Sequence, residues 1–316
     1  MKKVLFLLII IILLIVVFNM RYLFNKNITY APYNLKGYDD LKRDRYNFTS
    51  GGIPKIIFKT SWHKRDNLPT EIINVLEKTK RLNPDYEIYY FDNDDCDRFI
   101  QDFDENVNRC YKKIIPGAFK ADIFRMCMLY QYGGIYSDIG HDPYEPYDTI
   151  LKDDVNVVLV NNYFGISTLK NYSGVEIAFM CSIPKYSFFK EVINKFTYNI
   201  TNDYYGDSPL DITGPIMVGK VYNCYFEDVC DNQNKNLMEK DVFYDSNGYK
   251  IKLLKMKLDP YFVFKILDSY TSRIHFYDND TLLFASKFKN YHNVMYSSKK
   301  SKRYSQLWSE RKIYKN

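Results

Sequence analysis

Cysteine is scarce in this chain, with six among 316 residues: Cys96, Cys110, Cys127, Cys181, Cys224 and Cys230. That is too few for a disulfide scaffold, and the spacing lacks the close pairs of a zinc site, so the fold must rest on an apolar core with at most one or two disulfides. Excess charge is also small. The net charge of +6 makes no case for nucleic acid as a partner, because the basic C-terminal residues Lys299, Lys300, Lys302, Arg303, Arg311 and Lys312 come without a zinc finger, an RNP-like strand or a stacking platform. Internal repeats are missing, and so is low complexity outside the N-terminus. Tyrosine is plentiful, at 31 residues, but a bias toward Tyr, Lys, Asn and Ile follows from AT-rich coding and says little about function.

One long hydrophobic run is present. Residues 4–18 read VLFLLIIIILLIVVF behind Lys2 and Lys3. As a helix this run is about 22 Å long, short of a bilayer core, but Asn19, Met20, Leu23 and Phe24 extend it while the lysines snorkel. A signal peptide begins in the same way; no small-x-small cleavage pattern follows, so the run reads as an uncleaved anchor over residues 1–24. The expectation is a single-pass type II membrane protein, attached by its N-terminal helix, with its body in the ER or Golgi lumen, a viral or bacterial membrane being the alternative. There the N-x-Ser/Thr sequences at Asn27, Asn47, Asn171 and Asn199 would be available. A polar stretch, residues 25–52, reads as a stem, and the folded body is expected over 53–316.

Within that body, helix and strand patterns alternate. Residues 54–59 and 86–91 read as strands and 70–81 as a helix, with a further helix beginning at Asp92 to Asp95. Asp92, Asp94, Asp95 and Asp97 invite a metal reading, yet their place between a strand and Phe99-Ile100 favours helix capping. Ala121 to Tyr132 reads as a helix that Gly133-Gly134 ends. Strands follow at 135–138 and 156–160, then a helix from Ser187, a turn at Thr213-Gly214-Pro215, and strands or loops at 243–258 and 270–276. The expected fold class is α/β, with ligand contacts near strand ends.

The segment FKADIFRMCMLYQYGGIYSDIGHDPY, residues 119–144, is the most informative. Asp122 and Arg125 stand three residues apart, on one helical face. The glycine pair returns the chain to a short apolar strand ending on Asp138. An acid and a guanidinium near a strand-end acid suit a sugar phosphate better than a local surface ion pair.

IPKIIFKTSW (53–62), NPDYEIYYFDNDD (83–95), KADIFRMCMLYQYGGIYSD (120–138), TGP (213–215) and LWSERKIY (307–314) occur in order. With them the chain resembles the glycosyltransferase family whose sugar-binding region contains a DXD motif. That family includes yeast outer-chain alpha-1,6-mannosyltransferases and inositol-phosphoceramide mannosyltransferases, with bacterial and viral members. The resemblance implies a GT-A-like, Rossmann-related nucleotide-diphospho-sugar transferase domain as the body. It places Phe58, Thr60 and Trp62 beside the nucleotide, gives Asp122 and Arg125 the donor hydroxyls, and puts Asp138 near the ribose and a metal-bound diphosphate. Catalytic roles accordingly fall to Asp122, Arg125 and Asp138. The second acid of the motif is absent, since Asp138-Ile139-Gly140 is followed by His141 and Asp142. Mn2+ or Mg2+ wants hard oxygen ligands, so Asp138 with Asp142, and His141 second, become the expected metal ligands.

The implied reaction is retaining transfer of a hexose from a nucleotide sugar to a hydroxyl of a glycan or glycolipid acceptor. GDP-mannose is the preferred donor, with UDP-sugars open. His275 and His292 are alternative acceptor-side or phosphate contacts, although lone histidines among aromatics are more often structural. Two other classes compete. One is a membrane-tethered glycan- or nucleotide-sugar-binding protein that lost turnover with the second acid. The other is a phosphate-ester hydrolase using the Asp-rich segments, which would need a second organised metal cluster.

Overall fold

The first strand, β1 (Ile56–Thr60), is covered on both faces, with Ile56, Ile57, Phe58 and Lys59 all fully buried. Such continuous burial marks a parallel strand at the heart of a sheet. A computed structural model describes residues 35–44, 52–152, 154–162, 174–227, 240–258, 274–296 and 302–315. β2 (Glu87–Phe91) and β3 (Gly134–Ser137) flank β1 and run parallel to it, so that Phe58 pairs with Tyr89 on one side and Tyr136 on the other. The chain passes from β1 to β2 through α2 (Thr70–Leu82), which buries Ile72, Val75, Leu76 and Thr79 at the spacing of one helical face.

From β2 to β3 it passes through α3 (Asn93–Phe103), α4 (Glu105–Lys113) and α5 (Gly117–Tyr132). Asp92 caps α3 by accepting the Asp94 and Asp95 N–H groups. Asp95 pairs with Arg65 at 3.0 Å and with Arg98 at 2.5 Å. The acidic group therefore caps a helix and meets cationic side chains. Because β2 and β3 lie on opposite sides of β1, the order reverses at β1, and the crevice at the carboxyl ends of β1 and β3 is where α/β sheets bind ligands.

The rest of the sheet is mixed. β4 (Asp142–Pro143), β5 (Val157–Asn162), β6 (Gly174–Ser182), β7 (Val242–Tyr244), β8 (Lys250–Leu258), β9 (Ile274–Asp278) and β10 (Thr281–Ala285) complete it. They follow the order β2-β1-β3-β6-β5-β8-β9-β10-β4, with β7 on β8. β6 runs antiparallel to β3. Two helices, α6 (Ser187–Thr201) and α7 (Pro215–Glu227), pack in series from α5 to β6. Thr213-Gly214-Pro215, expected as a turn, leads into α7, whose first residue is Pro215, the position where a missing N–H costs least. Short helices α8 (Tyr291–Tyr296) and α9 (Tyr304–Ser309) precede a tail that pairs with α4's end through Ile115 N–H to the Ile313 carbonyl.

Several expectations are corrected. Among the described residues no helix is long and apolar enough to cross a membrane. The expected transmembrane helix, signal anchor, membrane attachment and single-pass lumenal location are withdrawn, and the run at 1–24 on which they stood lies outside the described residues. Residues 35–44, read as part of a polar stem, belong to the folded body. There α1 (Tyr38–Asp44) buries Tyr38 and Leu41, and the Tyr38 hydroxyl donates to Asp102. Asn199 is also no glycan acceptor in this fold, since its buried side-chain amide donates to the Asp211 and Ile212 carbonyls. Asn27, Asn47 and Asn171 lie outside the described residues. Cys96, Cys110, Cys127 and Cys181 are buried thiols, and Cys224 is in a disulfide.

Candidate functional site

Two glycines set the site's geometry. Gly133 ends α5 with φ 65° and ψ −149°, and Gly134 opens β3 with φ 83°. This tight reversal lays the buried face of α5 beside the end of β3. From α5, Arg125 reaches Asp138 at 3.2 Å and Asp122 at 3.4 Å, donates to the Ile177 carbonyl at 2.8 Å, and lies 4.5 Å from the Tyr136 ring centroid. Thr213, ahead of α7, donates to Asp122 at 2.8 Å, and the Tyr136 hydroxyl donates to Asp138 at 2.8 Å. Asp122, Arg125 and Asp138, each expected at a donor site, thus converge on one guanidinium. The Asp138 side chain keeps 39% of its surface exposed while that of Arg125 keeps 8%, so the acid faces outward and the cation stands behind it.

Burial shapes the charges here. It pushes the Asp122 carboxyl up to about 7, against the opposing pull of the Arg125 charge and the Thr213 hydrogen bond. Burial also disfavours the Arg125 charge, but Tyr136, Asp138, Asp122 and Glu176 outweigh it and hold the guanidinium more firmly protonated than usual. Unfolded, Asp122 ionises near 3.8; folded, it keeps its proton to about 7. The native state therefore binds more protons between those values, and this contribution is complete below the lower one and lost as pH rises through the upper one. Relative to Asp122→Asn, the wild-type denaturation midpoint is expected to fall between about pH 4 and about pH 8. Parallel midpoints for the two proteins across that range would refute it.

Other expected residues separate. Trp62 stacks on His63 at 3.7 Å between ring centroids, and its indole nitrogen is buried with no hydrogen-bond partner. Phe58 is not at the site: its ring sits in the core among Tyr89, Phe91 and Tyr132. Thr60 turns its hydroxyl to the Phe91 carbonyl at 2.9 Å. His141 is sealed among Phe179, Phe276 and Phe284, with Nδ1 3.1 Å from the Ser137 hydroxyl. Burial, reinforced by the charges of Lys59 and Arg125, holds that imidazole neutral well below its usual range. Asp142 pairs with Lys78 at 2.6 Å. His292 lies 3.4 Å from the Lys287 amine, and His275 is on β9.

Three residues at the site escape the sequence reading. Lys59 is fully buried behind β3 and donates to the Ser137 carbonyl and hydroxyl and to the Asp138 carbonyl, and burial, opposed by the Asp138 charge, lowers it to about 7. Tyr291 packs so closely on Gly140 that a Cβ there would stand 2.7 Å from its ring and 2.9 Å from the Ser286 carbonyl oxygen. Glu176, on β6, accepts the Ala178 N–H at 3.0 Å. Its carboxyl is raised by burial and by Asp138, while backbone hydrogen bonds and Arg125 pull it down. Strand alternation leaves both β1 faces buried and so does not point to Lys59, and Glu176 becomes visible only through the pairing of β6 with β3.

With this geometry in place, residues 69–157 match the family described as a glycosyltransferase sugar-binding region containing a DXD motif. Over that stretch the chain is similar to the family. Its similarity to yeast mannosyltransferases is distributed accordingly. It is 29% identical over 55% of its length to the mannosyl phosphorylinositol ceramide synthase CSH1 of Saccharomyces cerevisiae. It is 32% identical over 35% of its length to inositol phosphoceramide mannosyltransferase 3 of Schizosaccharomyces pombe. The matched stretches span 43% of the first relative and 31% of the second. A solved structure, the PaToxG glycosyltransferase, aligns at a TM-score of 0.44 and 15% identity, covering 54% of this chain and 69% of that one. The matched region contains Asp122, Arg125 and Asp138, while Gly140 stands where the motif's second acid is expected.

Proposed function

We propose that this chain transfers a hexose from a nucleotide sugar to a hydroxyl of a glycan or glycolipid, with retention at the anomeric carbon. The supporting observation is one guanidinium, Arg125, shared by Asp122 and Asp138 at the sheet's switch point. Asp122, fixed by Thr213, orients the sugar hydroxyls. Arg125 meets the negative charge that gathers on the diphosphate as the glycosidic bond breaks. Trp62 is assigned beside the nucleotide, its buried indole N–H having no partner within the fold. The names of the relatives favour a mannosyl donor such as GDP-mannose, with UDP-hexoses as the comparison.

A divalent cation, Mn2+ or Mg2+, when bound supplies further neutralisation of the leaving diphosphate. Among the described residues no group of three or more His, Cys, Asp or Glu side chains is arranged to hold one. His141 and Asp142 do not fit the role, the first enclosed by aromatic rings and the second paired with Lys78. Asp138 fits, as an outward-facing hard oxygen donor.

The test is hydrolysis and transfer from a panel of UDP- and GDP-sugars, with and without Mn2+. Asp138→Ala is expected to lower turnover by ~10²–10³-fold, whereas Asp142→Ala, losing only a partly exposed ion pair, is expected to keep it within about threefold. Nucleotide-sugar binding with no turnover on any donor would convert the reading to a binding protein. Turnover untouched by Asp138→Ala would remove the site.

A further inference from the structure

The acid missing at position 140 has no room to stand there, because Tyr291 and the Ser286 carbonyl occupy the space that any Cβ would need. The ladder between β3 and β6 offers another source. Its pairs run from Gly134 with Ser182 to Ser137 with Phe179, and Asp138 continues it by donating its N–H to the Ala178 carbonyl at 2.8 Å. Paired residues on antiparallel strands show their side chains on the same face, as do residues two apart along a strand. Asp138, Ala178 and Glu176 therefore share the face on which Tyr136 meets Arg125. The chain then turns, the His141 N–H reaching back to the Asp138 carbonyl at 3.1 Å, so Glu176 is the diagonal neighbour of Asp138 on this face.

The same guanidinium binds both strands, pairing with Asp138 at 3.2 Å and donating to the carbonyl of Ile177, Glu176's neighbour, at 2.8 Å. Diagonal neighbours on such a ladder lie roughly 7–8 Å apart at the backbone, a separation that two carboxylates can close onto one ion. One or two carboxylates plus substrate phosphates is the usual ligand set of a nucleotide-bound Mg2+.

We propose that Glu176 supplies from β6 the hard oxygen ligand that Gly140 cannot, so that Asp138 and Glu176 together hold the divalent cation against the donor's diphosphate. The proposal rests on the nucleotide-sugar reading of the site, and its test separates the two. Mn2+ binding to the full chain is measured by electron paramagnetic resonance with UDP or GDP present, for wild type, Glu176→Gln and Asp142→Asn.

Glu176→Gln is expected to weaken Mn2+ by ~10-fold or more while thermal unfolding shows an intact fold, and Asp142→Asn to leave Mn2+ affinity unchanged. Wild-type Mn2+ affinity in Glu176→Gln, with nucleotide still bound, would overturn the metal assignment alone. No binding of either nucleotide, with or without Mn2+, would overturn the site reading and this proposal together. A second measurement needs no variant: Fe2+ in place of Mn2+, with ascorbate and peroxide, cuts the backbone beside its ligands. Cuts near both 138 and 176 support the assignment; cuts at 141–142 without one near 176 refute it.

Discussion

Arg125→Ala is expected to lower nucleotide-sugar turnover by at least ~10²–10³-fold and to cost about 1–3 kcal/mol of stability. Both effects come from one loss. In the native protein the guanidinium satisfies Asp122 and Asp138 and donates to the Ala121 and Ile177 carbonyls. With alanine the nearly buried Asp122 is left with the Thr213 hydroxyl, and the Ile177 carbonyl loses its side-chain donor. Asp122, which burial already holds protonated up to about 7, then stays neutral, so the loss falls on the buried carbonyls and hydrogen bonds that the guanidinium served. Arg125→Lys separates the two effects. An ammonium restores the charge but cannot place a planar fork on two carboxylates and a carbonyl at once, nor stack on Tyr136 in the same way. Much of the stability is expected to return while turnover stays low. Denaturant titration and donor hydrolysis measure the two quantities, and wild-type turnover in Arg125→Lys would show that the fork plays no part in the chemistry.

This cluster is legible in sequence because its parts are local. Asp122 and Arg125 share a helical turn, the glycine pair ends that helix, and Asp138 follows within a short strand. The Asp92 cap is legible for the same reason, since a capping acid acts on N–H groups two and three residues ahead. The membrane anchor rests on composition alone, and among the described residues nothing answers to it.

What stays hidden depends on partners far along the chain. His141 has the look of a ligand until Phe179, Phe276 and Phe284, from three other strands, close around it. Asp142 looks free in sequence, and Lys78 of α2 stands beside it in the fold. Phe58 and Lys59 point to opposite faces of a strand buried on both, so no apolar pattern distinguishes the residue that reaches Ser137 from the one that packs in the core. Glu176 is the sharpest case, because its relation to Asp138 exists only in the register of an antiparallel pairing.

Gly133→Ala is expected to be the most damaging single-methyl change in the described fold, costing more than ~3 kcal/mol and lowering the yield of folded protein. At φ 65° and ψ −149° this residue occupies a region that is essentially glycine's alone. The added Cβ would also stand 2.6 Å from both the Pro184 nitrogen and the Ser182 carbonyl oxygen, backbone atoms at the end of β6 that have no rotamer in which to escape. Relief would require α5 and β3 to part, and those are the elements that bring Arg125 to Asp138. Any Gly133→Ala protein that does fold should therefore lose turnover more steeply than its stability alone implies. Two other glycines calibrate the effect. Gly248 has φ 81° with nothing within 4 Å of the point a methyl carbon would take, so its alanine variant should cost only the backbone strain, about 1 kcal/mol. Gly117, in the first turn of α5 and equally open, should be stabilised by alanine by about 0.4–1 kcal/mol. Equal unfolding midpoints for the alanine variants at 133 and 248 would show that the close approach of Pro184 and Ser182 does not hold the reversal in place.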